Sequence, residues 1–427
     1  MSALPPLSLY VHMPWCVRKC PYCDFNSHAV SEAGVPEAAY IAALLEDLDA
    51  DLADFSQLQQ AHGGEPINWA SRPIQTLFIG GGTPSLISPD GYARLFAGLR
   101  QRLSFSDDIE ITLEANPGTV EQGLFEGYRA VGINRLSIGV QTFQGAQLSA
   151  LGRIHSGDEA LRAASTASAA GFTRINLDLM HGLPGQSVAA ACDDLRQAIA
   201  LGVTHLSWYQ LTLEPNTVFY RQQPILPDDE VLADIQEQGE ALLAEAGFQR
   251  YEVSAYAQAG EGCRHNLNYW QFGDYLGIGA GAHGKLTLAV AADAAHANDA
   301  AESIAARRIY RRSKTRMPKD YFAAAQATRA SLSDRPHTSA FVATSEAIAA
   351  ADLPFEFMLN ALRLTAGVPQ AYWSQRTGLR HDAIRQTLAT LRERGLLEEN
   401  PERLQASALG LRFLNRAIDA FLPDHSA

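Results

Sequence analysis

The chain is 427 residues long, with 47% hydrophobic and 19% charged residues, so it can bury a large core and general disorder is disfavoured. Its 34 basic and 47 acidic side chains give a formal net charge of −13, which argues against nonspecific binding to nucleic acid or to an anionic membrane. No apolar run approaches the ~20 residues that cross a bilayer, and the amino terminus, without a positive charge before Arg18, does not resemble a secretory signal. Five cysteines, three of them clustered, suit a reducing compartment, so we predict a cytoplasmic protein with a metal site.

Short β-prone apolar runs alternate with helical patterns along the first half of the chain. The runs cover residues 7–12, 76–79, 109–114, 135–140, 174–180 and 205–211. Between the first two, apolar side chains from Ile41 to Phe55 recur at helical spacing. Strands that alternate with helices predict a parallel sheet. Six such units predict an α/β fold with a partial (β/α)6, TIM-like barrel that is open along one side.

Polar or glycine-rich turns follow most of these strands. They are a cysteine cluster after the first strand and the segments 80–84, 114–117, 141–143 and 181–185. In α/β barrels the loops at the carboxyl ends of the strands build the functional site. We therefore expect these five turns to meet at one end of the barrel.

The rest of the chain divides into two regions. We assign residues 1–285 to the barrel and its extension, 286–350 to a linker or insertion, and 351–427 to a winged-helix-like module. The stretch 289–306 is rich in alanine, and a basic run with seven Lys or Arg side chains follows at 307–319. We interpret that run as a solvated hairpin or helix end, with contact to an anion or carboxylate as the alternative. Predicted helices at 355–364, 370–375, 382–397 and 409–421, with a wing at 398–404, define the module, for which we favour a docking or lid role.

Three cysteines lie within eight residues at Cys16, Cys20 and Cys23, here called the cysteine loop. The spacing Cys-x3-Cys-x2-Cys suits three corners of an iron–sulfur cubane, which would keep one iron open. A structural zinc site that adds His12 or His28 is the alternative, and unrelated thiols are a third. A second cysteine pair, usual in zinc motifs, is missing from the sequence, so the spacing favours iron–sulfur.

This spacing, in the loop after a first strand, resembles the signature of the radical S-adenosylmethionine (SAM) family, in its coproporphyrinogen III oxidase-like branch. The resemblance implies a radical SAM barrel with a [4Fe–4S] cluster whose open iron binds SAM. Nine residues match SAM-site positions of the family: Tyr10, Tyr22, Gly81, Gly82, Thr83, Glu114, Gln141, Arg153 and Asp178. Each is weak alone, because a glycine turn is common and a strand-end Glu, Gln or Asp often caps a helix. Their order after successive strands makes the set specific.

Two features distinguish the catalytic oxidases of this branch from its haem-carrying members. Phe25 stands where the oxidases have a further cysteine, and their longer amino-terminal extension is not seen before the first strand. The run His265-Asn266-x-x-Tyr269-Trp270 resembles a motif proposed to bind haem in the carriers of the branch. Imidazole is a common axial ligand of haem iron, and two aromatic rings could cover a porphyrin face.

A packed core histidine is the simpler interpretation of His265 by itself. The other possible haem ligands are Cys263 and His283. The resemblance implies a haem chaperone that binds haem and a SAM-ligated cluster and passes haem to an acceptor protein, with a membrane-associated respiratory enzyme as one candidate. The alternative is a radical SAM enzyme that acts on a porphyrin. A nucleic-acid-binding role through the winged-helix-like module is disfavoured by the acidic charge.

Overall fold

A computed structural model describes residues 4–119, 122–291, 307–330 and 339–423. Its strands, in chain order, are β1 (Leu7–Met13), β2 (Trp15–Cys16), β3 (His28–Ala29), β4 (Ile74–Gly81), β5 (Phe105–Ala115), β6 (Arg135–Gln141), β7 (Arg174–His181), β8 (His205–Gln210), β9 (Gln249–Glu252), β10 (Ala255–Ala257), β11 (Asp274–Ile278), β12 (His283–Ala289), β13 (Arg307–Lys314), β14 (Val342–Ala347), β15 (Val368–Pro369) and β16 (Arg403–Leu404).

The helices cover the sheet and build the carboxyl-terminal module. They are α1 (Glu37–Ala61), α2 (Pro89–Arg100), α3 (Gln122–Ala130), α4 (Gly145–Ala150), α5 (Gly157–Ala169), α6 (Val188–Ala200), α7 (Val218–Gln222), α8 (Asp229–Glu245), α9 (Arg264–Trp270), α10 (Pro318–Ala330), α11 (Leu353–Ala361), α12 (Ala371–Thr377), α13 (Asp382–Glu393), α14 (Ala408–Arg412) and α15 (Leu414–Asp419). Among the described residues, no helix is both long and apolar enough to cross a membrane.

Twelve strands form one mixed sheet in the order β14-β13-β12-β11-β1-β4-β5-β6-β7-β8-β10-β9. The six predicted strands are β1 and β4 to β8, and all of them pair in parallel. A seventh parallel strand, β11, joins the other side of β1, and the outer strands at both edges are antiparallel. The predicted α/β partial barrel is confirmed: residues of β4 to β8 line a common cavity, and β14 and β9 stand at opposite edges of the sheet without pairing to each other in the described part of the chain.

Residues 307–314 of the basic run form a largely buried strand, not a solvated hairpin or helix end, whereas Arg316 and Lys319 beyond it are exposed. This strand is β13, where Arg312 and Lys314 are buried and contact the carboxylates of α1. Arg312 Nη1 lies 2.7 Å from Asp51 Oδ1, and Lys314 Nζ donates to both Asp47 and Asp51. The polar face of α1 supplies the countercharge that makes burial of these cations possible, so the carboxylate alternative describes the contact. Most of the alanine-rich stretch, residues 292–306, lies outside the described residues.

The carboxyl-terminal module has its own apolar core around Phe357, Trp373 and Leu388. Its helices occur where they were predicted, except that the last one is divided into α14 and α15. Strand β16 lies within the predicted wing, and it pairs with β15, which precedes α12 and was not predicted. Phe272, next to α9, belongs to the same core and contacts Phe357 at 5.4 Å between ring centroids. The module therefore packs directly on the segment that follows α9.

Candidate functional site

The cysteine loop is held at the carboxyl end of β1. Trp15 and Cys16 form β2, which pairs in parallel with β3 and closes the loop on itself. All three cysteines are half-buried free thiols. Burial raises the pKa values of the Cys16 and Cys23 thiols. Thiolates are the ligand form, so a bound cation is needed to stabilise them here.

One cavity of about 360 Å³ lies between this loop and the carboxyl ends of β4 to β8. The predicted site residues that line it are Cys16, Cys20, Cys23, Tyr22, Gly81, Gly82, Thr83, Glu114, Gln141, Arg153 and Asp178. Tyr10 is not among the lining residues; its hydroxyl lies 2.9 Å from His12 Nδ1, behind the wall of the cavity. The structure thus brings together every predicted cluster and SAM residue but one.

The glycine turn after β4 leaves no room for side chains. Gly81 has φ +114°, and a Cβ at Gly82 would lie 2.4 Å from the carbonyl oxygen of Trp15. Its amide hydrogens are already used: Gly81 N donates to Glu114 Oε2, Gly82 N to Met13 and Thr83 N to Trp15. An ammonium group needs acceptors, so the amino group of SAM could bind this turn only through its carbonyl oxygens.

Two buried carboxylates form part of the cavity wall. Burial, and secondly the charge of Asp178, raises the pKa of Glu114 to about 8. Burial also raises the pKa of Asp178, which accepts hydrogen bonds from Asn176 at 2.8 Å and Ser137 at 3.0 Å. Two acids that repel each other in a low-dielectric wall stabilise a bound cation. The sulfonium and ammonium groups of SAM carry that charge.

Arg153 adds a positive group beside the cysteine loop. Its Nη1 lies 3.6 Å from Cys20 Sγ, and its Nη2 donates to the carbonyl of Gly139. Its buried Nε has no hydrogen-bond partner among the described residues. The guanidinium can therefore still donate to a carboxylate or to cluster sulfur, and both groups are present in a SAM–cluster pair. Gln141, at φ 70°, accepts a hydrogen bond from Tyr209 at 2.8 Å and faces the same cavity.

The zinc alternative loses one of its two proposed histidines. His12 Nδ1 contacts Tyr10 and His12 Nε2 lies 2.8 Å from the carbonyl oxygen of Asn26, so both ring nitrogens are engaged. Within the described part of the chain, no three His, Cys, Asp or Glu side chains are arranged to hold a single metal ion. The loop suits a larger polynuclear group better than one tetrahedral ion.

The predicted haem motif forms α9, and its residues have different surroundings. Asn266 and Trp270 line the cavity, whereas His265 and Tyr269 lie outside its lining. His265 Nδ1 is 2.8 Å from Thr76 Oγ1, and burial lowers the pKa of the imidazole to about 4. Tyr269 packs edge-on against Trp270, with 4.7 Å between ring centroids.

The other two possible haem ligands differ in accessibility. Cys263 is buried, its thiol faces Glu110 at 3.7 Å, and burial raises its pKa to about 11. His283 is exposed at the start of β12.

Several lining residues were not predicted from the sequence. They are Ser207, Tyr209, Glu252, Ser254 and Arg363. Arg363 comes from the carboxyl-terminal module, so its position depends on how that module packs. The position of Tyr209 could have been inferred from strand alternation in β8, which places every second side chain on the inner face of the sheet.

A curved parallel sheet with a three-cysteine loop, a glycine turn and an acidic wall at its carboxyl end is the architecture of a radical SAM protein. The chain matches the family model of the Radical SAM superfamily over residues 10–198 and that of the HemN C-terminal domain over residues 348–413. It is 47% identical to "Heme chaperone HemW" of Escherichia coli K12 and 46% identical to that of Haemophilus influenzae, in each case over 99% of this chain and all of the relative. The chain belongs to the radical SAM superfamily, in the family of these HemW relatives.

A solved structure supports the fold independently. Coproporphyrinogen III oxidase (HemN) from Escherichia coli superimposes with a TM-score of 0.74 at 22% identity, covering 98% of this chain and 90% of that one. Family membership implies a [4Fe–4S] cluster and SAM as cofactors. Three thiols, an acidic wall and an unpartnered guanidinium nitrogen fit both groups. When bound, such a cluster offers an open iron to SAM and supplies an electron to it.

Proposed function

We propose that this protein is a haem chaperone. It binds haem and a SAM-ligated [4Fe–4S] cluster, and it delivers the haem to an acceptor protein. The full-length identity of 46–47% to relatives called heme chaperone HemW carries this proposal. Phe25 supports the carrier function over the oxidase function. This hydrophobic residue, 63% exposed, lines the cavity at the position where the oxidases of the branch have a further thiol.

We propose that Cys16, Cys20 and Cys23 hold the cluster. The SAM site is assigned to the same nine residues as before: Tyr10, Tyr22, Gly81, Gly82, Thr83, Glu114, Gln141, Arg153 and Asp178. The common cavity that eight of them share with the cysteine loop supports this assignment. In it, Glu114 and Asp178 attract the cationic groups of SAM, Arg153 orients an anionic group, and the glycine turn admits the amino acid end.

Haem contact is assigned to His265, Tyr269 and Trp270, with His265 as the axial ligand. Thr76 donates its hydroxyl proton to Ser8, so His265 Nδ1 must be the donor in the bond with Thr76. This places the ring proton on Nδ1 and leaves the lone pair of Nε2 for a metal. The low pKa keeps the ring neutral near pH 7, as a ligand requires. Cys263 is a poorer ligand because its thiol stays protonated there.

Haem titration of the anaerobically reconstituted protein tests this ligand. We expect a Soret shift that is lost in His265→Ala and kept in His283→Ala, which removes the exposed histidine. Thr76→Val should weaken the shift by loosening the ring without removing it. A full shift in His265→Ala together with its loss in His283→Ala would transfer the assignment to His283.

The competing function is a radical SAM enzyme that converts a porphyrin. Incubation with SAM, reductant, haem and coproporphyrinogen III separates the two functions. We expect haem binding without a decarboxylated product, and product formation at a catalytic rate would establish the enzyme instead. The similarity to HemN concerns the fold, so it does not favour that outcome.

We further infer a cytoplasmic location and an acceptor protein, for which a membrane-associated respiratory enzyme is the candidate class. A haem carrier needs such a destination. Crosslinking of the haem-loaded protein in cells, followed by fractionation, tests both points. Recovery of the chain from the soluble fraction, with haem-dependent crosslinks to a membrane haem enzyme, is the expected result.

A further inference from the structure

The cavity has a second group of lining residues, which the SAM assignment does not use. This group consists of Glu252, Ser254, Asn266, Trp270 and Arg363. The first four belong to the barrel and its extension, whereas Arg363 follows α11 in the carboxyl-terminal module. This module therefore contributes a charged side chain to the central cavity.

Arg363 is held in place by its neighbours but is not saturated by them. Its guanidinium carbon lies 4.4 Å from the ring centroid of Trp270, a cation–π stack. One terminal nitrogen, Nη2, is 3.4 Å from Glu252 Oε2, at the outer limit of a hydrogen bond. Glu252 is itself fixed, because its other oxygen accepts from the backbone of Ser254. The guanidinium is thus oriented and keeps further donors.

These two stacked side chains each carry a buried donor that has no acceptor among the described residues. The indole Nε1 of Trp270 and the Nε of Arg363 are both buried and lack a hydrogen-bond partner among the described residues. Leaving one buried donor unpaired is costly, and both residues that carry such a donor line the same cavity, which indicates a missing acceptor there. A planar carboxylate is the group that a fixed guanidinium and a neighbouring N–H bind best.

We propose that Arg363 and Trp270 form a carboxylate-binding subsite of the central cavity. This inference rests on the proposed function, since it assigns to the subsite a propionate of the bound haem. The stacked guanidinium donates to the carboxylate, and the indole N–H adds a second donor. From this subsite, at the end of α9, the porphyrin extends along the helix. The carboxyl-terminal module thereby takes part in ligand binding through Arg363.

Comparison of haem with its dimethyl ester tests the subsite, because esterification removes the propionate charges and keeps the ring. Absorbance titrations would use the reconstituted protein and Arg363→Gln, Trp270→Phe and Arg196→Gln. Arg196 is an exposed residue of α6 and serves as the matched control. Cluster absorbance and melting temperature establish that each variant is folded.

We expect the wild type and Arg196→Gln to bind haem about tenfold or more tightly than the ester, the size of a charge-assisted hydrogen bond. Arg363→Gln should lose about tenfold for haem and less than twofold for the ester, so the preference disappears. Trp270→Phe should lose part of it. If haem binds and Arg363→Gln keeps the full preference, the subsite is wrong and the proposed function stands. If neither compound binds the wild type, both proposals are overturned.

Discussion

Replacement of Glu114 by glutamine should change how stability and SAM affinity depend on pH. The folded protein holds the pKa of Glu114 at about 8, against an ordinary value of 4.5. A raised folded-state pKa means that the protonated form is favoured by folding. Its contribution to stability is therefore complete below about pH 4.5 and is lost as the pH rises through about 8. Glutamine cannot ionise, and its amide oxygen can still accept the Gly81 amide hydrogen.

The structure sets the size of this effect. Between pH 6 and 8 the carboxyl is protonated when folded and ionised when unfolded, so stability falls by at most ~1.4 kcal/mol per pH unit, or about 2 kcal/mol over that range. The Gln variant lacks this slope. A cationic ligand needs the ionised form, so wild-type affinity for SAM should rise by more than tenfold from pH 6 to pH 8. The variant should bind more weakly at pH 8, with little pH dependence.

Melting curves and SAM titrations at pH 6, 7 and 8, on anaerobically reconstituted protein, measure both effects. Glu126→Gln is the control, because Glu126 is exposed on α3 and bonds only to Gln122 among the described residues. Asp178→Asn should shift the wild-type transition to lower pH, since the charge of Asp178 raises the Glu114 pKa. Identical pH slopes in the wild type and in Glu114→Gln would refute the reasoning, because the carboxyl would then be ionised throughout.

Alanine at all three positions of the cysteine loop should abolish the visible iron–sulfur absorbance after reconstitution, whereas Cys192→Ala should keep it. Stoichiometric zinc in the purified wild type would contradict the assignment of an iron–sulfur cluster to this loop. Lys314→Met should destabilise the protein by about 3–5 kcal/mol in thermal denaturation, since it leaves the buried carboxylates of Asp47 and Asp51 without this partner. As a control, Lys319→Met changes an exposed side chain and should alter stability by less than ~0.5 kcal/mol. Gly82→Ala should weaken SAM binding at least tenfold in a titration, because the added Cβ meets the Trp15 carbonyl oxygen at 2.4 Å. The control Gly123→Ala, which has open space around it, should leave SAM binding unchanged. Equal SAM affinities in both variants would show that the glycine turn tolerates a side chain.

The sequence determined the parts of this protein that depend on local spacing. Apolar β-prone runs located the six parallel strands, and the cysteine, glycine and acidic turns after them contribute to one cavity, as expected for the carboxyl ends of parallel strands. The fifth predicted turn, 181–185, is not among the residues that line this cavity. A short-range pattern sufficed because neighbouring parallel strands must present these ends on the same edge. Tyr10 is the one predicted SAM residue that does not line the cavity, since a strand pattern does not say which inner residue reaches the solvent.

Long-range packing decided the rest. Arg312 and Asp51 are 261 positions apart, and charged side chains are expected in solvent until a buried countercharge is known. His265 and Thr76 are 189 positions apart, and only their contact determines which ring nitrogen carries the proton. Arg363 joins the cavity because the carboxyl-terminal module packs beside α9. Local patterns therefore specified the cysteine, glycine and acidic part of the cavity, whereas the part lined by Arg363 was specified by tertiary contacts that no sequence period encodes.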